Sequence, residues 1–185
     1  FDHRTGPMRH PLIYYFVSAT VFNAYNPYTD EWIPLKSPAM GTFAAGAGCV
    51  FVPSAGPSGT LSAGSSTTQF TIGTALPAAV VANQLANRGD GVGFYIRVCD
   101  VSGGVISESQ IVANTAGTQP VITVNPPLSF TPANNDKYEI LSGRVLLMST
   151  AATILKWYDV ATNSYSSALT ATNLTTPAVD NAMWV

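Results

Sequence analysis

Two stretches of this chain share one hairpin pattern, and their duplication limits the folds that the chain can adopt. YNPYTDEW, from Tyr25 to Trp32, is matched by YDVATNSY, from Tyr158 to Tyr165, at an offset of 133 positions. The same register continues upstream, where LIYYFVSATVFNAY lies against VLLMSTAATILKWY. Each copy predicts a strand, a tight Ser/Ala/Thr turn, a second strand, a turn at an Asn or Asp, and a third strand.

The residues in the predicted hairpin turns are of types that favour turns. Asn26 and Asp159 can accept hydrogen bonds from backbone amides two residues on, and Pro27 presets φ for a turn position. The flanking aromatic residues are expected to face each other across each hairpin. The pattern resembles hairpins of kelch-type propeller blades. Because a propeller needs typically four or more blades, we expect the two units to pack together as one sandwich or barrel.

The segment between the two copies consists of short runs rich in Val, Ile, Tyr, Phe and Thr. These runs are separated by turn residues, including many of the 15 Gly and 13 Pro of the chain. This pattern predicts an almost entirely β protein. Alternation places Phe94, Ile96 and Val98 on one face of a strand and their neighbours on the other. The stretch 76–88 is the one place where a short helical turn fits. The predicted strands are TTQFTI, GFYIRV, SESQIVA, PVITV and KYEIL.

These observations predict an all-β fold with a sandwich- or barrel-like body built from two duplicated hairpin units. Residues 1–56 and 143–185 form that body, and residues 57–142 form an inserted β-module. The Gly/Ala-rich stretch 41–56 and the termini are expected to act as arms along another surface. The apolar ending VDNAMWV is expected to dock on a neighbour. Because the chain begins at Phe1, we expect a processed or trimmed product.

The charge content excludes several classes of function. Charged residues make up 10% of the chain, against about 25% in ordinary soluble domains. Weak repulsion between copies favours association, so we expect a homo-oligomer. The eight Lys and Arg are scattered singly, which argues against a nucleic-acid partner. No run reaches the roughly 18 apolar residues of a membrane span, so no membrane partner is expected.

Several residues are candidates for a metal, phosphate or catalytic site, and each of them also has a simpler structural explanation. Asp2, His3 and His10 are a conceivable metal site, but their Gly-Pro-broken segment fits surface histidines better. The run GDGVGF precedes a strand rather than a helix, so a turn explains its glycines better than a phosphate site. The carboxylates considered for glycoside hydrolysis fall mostly in predicted turns: Asp30, Glu31, Glu108, Asp136 and Glu139.

Other motifs allow recognition functions. Arg88-Gly89-Asp90 spells an integrin-binding tripeptide, which a strand-entry turn also explains. Asn173-Leu174-Thr175 has the form of a glycosylation acceptor. Six aromatic residues form either a sugar-stacking platform or hairpin and core partners, the second being favoured: Tyr14, Tyr15, Trp32, Trp157, Tyr158 and Tyr165. Cys49 and Cys99 lie in strand-like apolar runs and are expected to be buried or half-buried thiols, with a disulfide as the alternative.

The middle segment resembles a small β-module of tailed-bacteriophage virion proteins. The likeness covers about 85 residues, through SGTLSAGSSTTQFTI, SESQIVANTAGT, VITV and LSFTPANNDKYEI in that order. The chain departs from the module at Glu108-Ser109-Gln110, where a Gly-Gln-x-Arg run is typical. The resemblance implies a non-enzymatic virion protein, most simply a capsid-associated decoration or cement protein. A tail, collar or fibre component is the alternative. It implies major capsid or tail proteins as partners, with no catalytic residues, metal or cofactor.

Overall fold

The computed structural model describes residues 12–18, 20–27, 30–39, 48–64, 66–87, 92–148, 154–167 and 169–170. Over these residues the chain is all-β and contains no helix, which confirms the predicted class. The strands are β1 Ile13–Phe16, β2 Phe22–Asn26, β3 Glu31–Pro34, β4 Gly48–Val52, β5 Ser58–Gly64, β6 Gln69–Ile72, β7 Tyr95–Cys99, β8 Ile106–Asn114, β9 Val121–Asn125, β10 Lys137–Leu141, β11 Arg144–Met148, β12 Ile154–Asp159, β13 Ser164–Tyr165 and β14 Leu169–Thr170.

The chain divides into two compact units. The first, which we call the hairpin unit, comprises Phe1–Val52, Val145–Tyr158 and Asn163–Val185. The second, the barrel unit, comprises Pro53–Arg144 and Asp159–Thr162. The sequence-based limits of the inserted module were 57 and 142.

The barrel unit is a closed six-stranded barrel in the order β10-β5-β6-β9-β8-β7. Alternating side chains fill its interior, as the period of two requires. Ile96 and Val98 of β7 are fully buried, whereas Tyr95, Arg97 and Cys99 are half-buried on the other face, which confirms the predicted alternation. The core is mostly aliphatic; its fully buried side chains include Leu61, Phe70, Ile72, Leu85, Ile111, Ile122 and Ile140.

A long loop after β6 completes the barrel core, and it takes the place of the short helical turn that the sequence could accommodate there. Its Leu76, Val80 and Leu85 are buried, but residues 76–87 form bends and turns rather than a helix. Asn83 lies in the left-handed region at φ 61°, which interrupts helical geometry. The buried Asn114 side chain accepts a hydrogen bond from the Leu85 amide at 2.8 Å and donates to the Val81 carbonyl at 2.9 Å. A side chain thus satisfies backbone groups that a helix would pair internally.

The hairpin unit contains two sheets, in which the pairs β1–β2, β2–β3 and β12–β14 are antiparallel. One has the order β1-β2-β3, and the other has the order β13-β12-β11-β4 with β14 pairing β12. We call β1–β3 the first hairpin copy and β11–β13 the second. At the repeat offset of 133 positions, β2 falls on β12 and β3 begins where β13 begins. The two copies therefore have the same strand order, as the duplication predicted.

Two details of the organisation were not predicted. Gly48–Val52, within the stretch that was expected to run along another surface, is strand β4 at the edge of the five-stranded sheet beside β11. Hydrogen bonds to a neighbouring strand compensate for its glycine content. Asp159–Thr162, in the turn of the second copy, was assigned to the body but belongs to the barrel unit. There Ala161 joins the buried core, and its carbonyl accepts a hydrogen bond from the Gln84 side chain at 2.9 Å.

Among the residues that the structure describes, no helix is long and apolar enough to cross a membrane. Cys49, in β4, and Cys99, in β7, are both free thiols. Cys99 is half-buried, as the simpler prediction stated, whereas Cys49 is exposed, contrary to it.

Candidate functional site

Each hairpin copy carries the same hydrogen bond across its turn. The Tyr25 hydroxyl donates to Oδ1 of Asp30 at 2.7 Å, and the Tyr158 hydroxyl donates to Oδ1 of Asn163 at 2.9 Å. Asp30 and Asn163 are equivalent in the repeat and both have positive φ, 56° and 45°. Asp and Asn tolerate this region better than most residues. The duplication therefore preserves backbone geometry as well as residue type.

An aromatic pair accompanies this bond in each copy. The rings of Tyr25 and Trp32 lie 5.0 Å apart between centroids, and those of Tyr158 and Tyr165 lie 5.1 Å apart. Tyr25 and Trp32 are direct cross-strand partners. The predicted pairing of aromatic residues across the hairpin is therefore confirmed. We call the face that bears this pair the outer face of each copy, and the opposite face the inner face.

The outer face of the second copy is covered by the inner face of the first. The Phe22 ring meets the Tyr158 ring edge-on, with centroids 5.0 Å apart, and lies 6.4 Å from Tyr165. Tyr14 adds a second edge contact to Tyr158 at 6.4 Å and stacks on Phe51 of β4 at 5.5 Å. As a result, Tyr158 is only 2% exposed. Burial also raises the pKa values of Tyr14 and Tyr165 well above the ordinary range.

The segment that follows the first copy also lies on the second. The Lys36 amide donates to Oδ1 of Asn163 at 3.0 Å, and the Tyr165 hydroxyl donates to the Lys36 carbonyl at 2.8 Å. The Lys156 ammonium donates to the carbonyls of Pro38 and Ala39, each at 3.2 Å. The first copy and the segment that follows it therefore contact the second copy through aromatic rings and through backbone hydrogen bonds.

At the matching positions of the first copy, Trp32 is exposed and Tyr25 is half-buried. We call Ile13, Tyr15, Tyr25 and Trp32 the aromatic face. Trp32 is 57% exposed and Tyr15 is 54% exposed, and their ring centroids lie 6.0 Å apart. Such rings normally bury a large area in cores and interfaces. This exposed group of rings is the candidate functional site of the molecule.

The carboxylate of Asp30 lies beside the aromatic face. Oδ1 of Asp30 accepts the hydroxyl proton of Tyr25, and this hydrogen bond raises the pKa of Tyr25, with smaller contributions from desolvation and from the charge of Asp30. The Tyr25 hydroxyl therefore stays protonated at neutral pH. The face therefore combines apolar rings with the carboxylate of Asp30.

The carboxylates weighed for glycoside hydrolysis serve other contacts. Arg97 bonds Glu108 through Nε at 2.7 Å and lies 3.7 Å from Glu139, on the outward side of the barrel. Asp136 accepts hydrogen bonds from the amides of Val101 and Ala133. Asp30 binds Tyr25, and Glu31 lies exposed in β3.

The six aromatic candidates separate into two groups. Tyr15 and Trp32 belong to the aromatic face, whereas Tyr14, Tyr158 and Tyr165 pack on one another in the hairpin core, with Trp157 half-buried. The favoured reading as hairpin and core partners is correct for most of them. Exposure, which the sequence does not encode directly, separates the two groups.

Three predicted motifs lie outside the described residues: the Asp2, His3 and His10 group, the Arg88-Gly89-Asp90 tripeptide and the Asn173-Leu174-Thr175 acceptor. Within the described part of the chain, no group of three or more His, Cys, Asp or Glu side chains could hold a metal ion.

A buried ion pair joins strands β11 and β12 of the second copy at residues that belong to the barrel unit. Nε of Arg144 donates to Oδ1 of Asp159 at 2.6 Å, and the Asp159 side chain is almost fully buried. Burial raises the pKa of Asp159, while the hydrogen bond and charge of Arg144 lower it. The equivalent residue of the first copy is Asn26, so this charge belongs to the second copy alone.

Comparison with known proteins identifies no relative. The chain matches no protein-family model, no curated protein and no solved structure.

Proposed function

We propose that this chain is a non-enzymatic structural protein of a tailed-phage virion, most simply a capsid-associated decoration or cement protein. It would bind other virion proteins, the major capsid or tail proteins, and its own copies, through packing and surface burial. The observation that carries the proposal is the exposed aromatic face on a chain with only 10% charged residues. A surface of this kind favours association with protein partners.

Two further observations support the proposal. The fold is all-β with an antiparallel barrel, which is compatible with the resemblance of residues 57–142 to the phage module. Exposed apolar side chains also cluster on the first copy, where Val17 and Val21 extend the aromatic face toward the β1–β2 turn. Contiguous apolar surface of this kind is typical of interaction sites.

Co-sedimentation with virions tests the proposal. We expect the purified chain to bind particles of the phage that encodes it, after native chain has been stripped from them, and to raise their resistance to heat or osmotic shock. A chain that never sediments with particles and leaves their stability unchanged would overturn the virion role. Turnover on a panel of polysaccharides, lost in Glu108→Gln or Asp30→Asn, would overturn the non-enzymatic part.

One observation favours a second candidate, a receptor- or carbohydrate-binding component of the tail, collar or fibre. Tyr15 and Trp32 present exposed rings, and exposed Tyr and Trp side chains can stack on sugar faces. Asp30 lies beside them as a hydrogen-bond acceptor. A glycan array tests this alternative: binding that is lost in Trp32→Ala and kept in Val101→Ala would support it, and an array without binding would reject it.

A further inference from the structure

The two hairpin copies have the same outer face but different surroundings. In the second copy, the ring pair Tyr158 and Tyr165 is covered by Phe22 and by the segment that begins at Lys36. In the first copy, Trp32 occupies the place of Tyr165 and is 57% exposed. The molecule itself therefore shows what fits this kind of face: the inner face of another hairpin copy.

We infer that a second copy of the chain docks on the aromatic face of the first hairpin copy, using the inner face of its own second hairpin copy. In the repeat register, Leu155 stands where Phe22 stands in the first copy, and Trp157 stands where Ala24 stands. Both Leu155 and Trp157 are half-buried, so part of each side chain remains accessible.

The chemistry of the two faces is complementary. Leu155 and Trp157 offer apolar surface to the rings of Tyr25 and Trp32, in the way that Phe22 meets Tyr158. Asp30 stands where Asn163 stands, and Oδ1 of Asn163 accepts the Lys36 amide in addition to the Tyr158 hydroxyl. The Asp30 carboxylate is therefore placed to accept a backbone amide of the docked copy. Charge repulsion across the contact is weak because the chain has few charged residues.

The contact joins two different surfaces, so the association is head to tail. Such heterologous interfaces close into rings when the rotation per subunit allows it, and otherwise extend into filaments. A ring of this kind would stack hairpin copies from several chains as a propeller stacks its blades. The sequence needs only two copies per chain because neighbouring chains provide the rest.

This inference rests on the oligomeric part of the proposed function and not on the virion role. The test therefore uses the recombinant full-length chain without particles, so that its failure is distinguishable from a failure to bind virions. Sedimentation equilibrium and light scattering give the mass as a function of concentration. We expect the wild-type chain to assemble beyond a dimer and Trp32→Glu to remain a monomer with an unchanged far-ultraviolet circular dichroism spectrum.

The matched control is Ile106→Glu, which places the same charge on an equally exposed apolar residue of the barrel unit, 61% exposed. We expect this variant to assemble as the wild type does. A wild-type chain that stays monomeric at every concentration overturns the inference, and so does a Trp32→Glu chain that assembles normally. Glycan binding by a monomeric wild-type chain would overturn it in favour of the carbohydrate-binding alternative.

Mixing two defective variants tests the head-to-tail geometry. Trp32→Glu damages the face that receives a copy, and Leu155→Glu damages the face that docks. Each alone should be monomeric, whereas a mixture should form a one-to-one dimer because each chain retains the surface that the other lacks. A Leu155→Glu chain that is folded and still assembles alone would overturn the assignment of the docking face. If Leu155→Glu fails to fold, Leu155→Gln replaces it in the same mixture.

Discussion

The two hairpin copies place equivalent residues in opposite environments. Tyr25 and Tyr158 make the same hydrogen bond to an Asp or Asn five residues on and contact the same kind of aromatic partner. In the first pair Trp32 is exposed and Tyr25 is half-buried. In the second pair Tyr158 is buried under Tyr14 and Phe22, and Tyr165 is half-buried. A local motif of this kind is therefore preserved by its own turn geometry, and its contribution to stability or to binding depends on which face of another sheet covers it.

Replacing the tyrosine of each copy by alanine should give the largest difference in stability between the two copies. Tyr158→Ala is expected to lower the free energy of unfolding by roughly 3 to 5 kcal/mol, because it removes a fully buried ring and leaves a cavity. Tyr25→Ala, the matched control, should cost clearly less because the ring is not enclosed by another sheet. Urea unfolding followed by fluorescence measures both. Equal losses would show that the copies do not differ in packing.

Removing the partner of the buried carboxylate should have the next largest effect. Arg144→Met leaves Asp159 buried without its guanidinium, and the expected loss is about 3 kcal/mol at neutral pH, at the lower end for broken buried pairs because Arg144 keeps some contact with water. Asp159→Asn, which gives the second copy the residue type of the first, is the control. It should cost less because no unpaired charge remains.

The same variant has a defined pH dependence. Burial raises the pKa of Asp159 in the folded chain, so the folded state binds more protons than the unfolded state between the two pKa values. The contribution of Asp159 to stability is then complete at low pH and decreases as the pH rises through the folded-state pKa. Without Arg144 this pKa rises further. The stability gap between wild type and Arg144→Met should therefore narrow as the pH falls toward about 3.9, the ordinary value for Asp. A gap independent of pH would contradict this assignment.

Much of the fold follows from local sequence pattern, and the remainder depends on distant contacts. The duplicated hairpins, the faces of β7 and the strand regions β6 to β10 could be predicted because each is encoded by neighbouring residues. Strand β4 could not, because its pairing with β11 joins residues nearly a hundred positions apart. The assignment of Asp159–Thr162 to the barrel unit has the same cause.

The candidate site was predictable in composition but not in exposure. The aromatic residues of both copies were identified as a group, yet the sequence gives Trp32 and Tyr165 the same place in one pattern. Only the tertiary structure covers one and exposes the other. The hydrogen bond between Tyr25 and Asp30 was not predicted, because the sequence pattern assigned the turn hydrogen bonds to Asn26, although the repeat also matches Asp30 with Asn163. That second match was the signal available in the sequence.

A subtler change removes only the hydroxyl of each tyrosine. Tyr158→Phe should lower the free energy of unfolding by about 1 kcal/mol, the usual net contribution of a hydrogen bond. The loss should be somewhat larger if no other donor replaces the Tyr158 hydroxyl at Oδ1 of Asn163. Tyr25→Phe should cost less, because water can replace the lost donor to Asp30 at the surface. Thermal unfolding of the two variants in parallel provides the measurement. A larger loss for Tyr25→Phe would reverse the comparison.

The smallest expected effect is on a pKa and not on stability. Asp30→Asn gives the first copy the amide that Asn163 provides in the second. Because the hydrogen bond to the carboxylate is the main cause of the raised pKa of Tyr25, that pKa should move back toward its ordinary value. Resonance assignment of Tyr25 and an NMR titration at alkaline pH measure the change. An unchanged pKa would mean that desolvation dominates.

The turn of the second hairpin copy has a consequence for how such a chain can be exchanged between genes. Because Asp159–Thr162 completes the barrel unit, the segment encoding Pro53–Arg144 alone would encode a barrel lacking the buried Ala161 and the acceptor of the Gln84 side chain. A recombination event that moved only the contiguous segment would transfer an incomplete core. Inheritance of the barrel is thereby linked to inheritance of the hairpin that flanks it, and chimeras that retain both segments should fold better than those that cut between them.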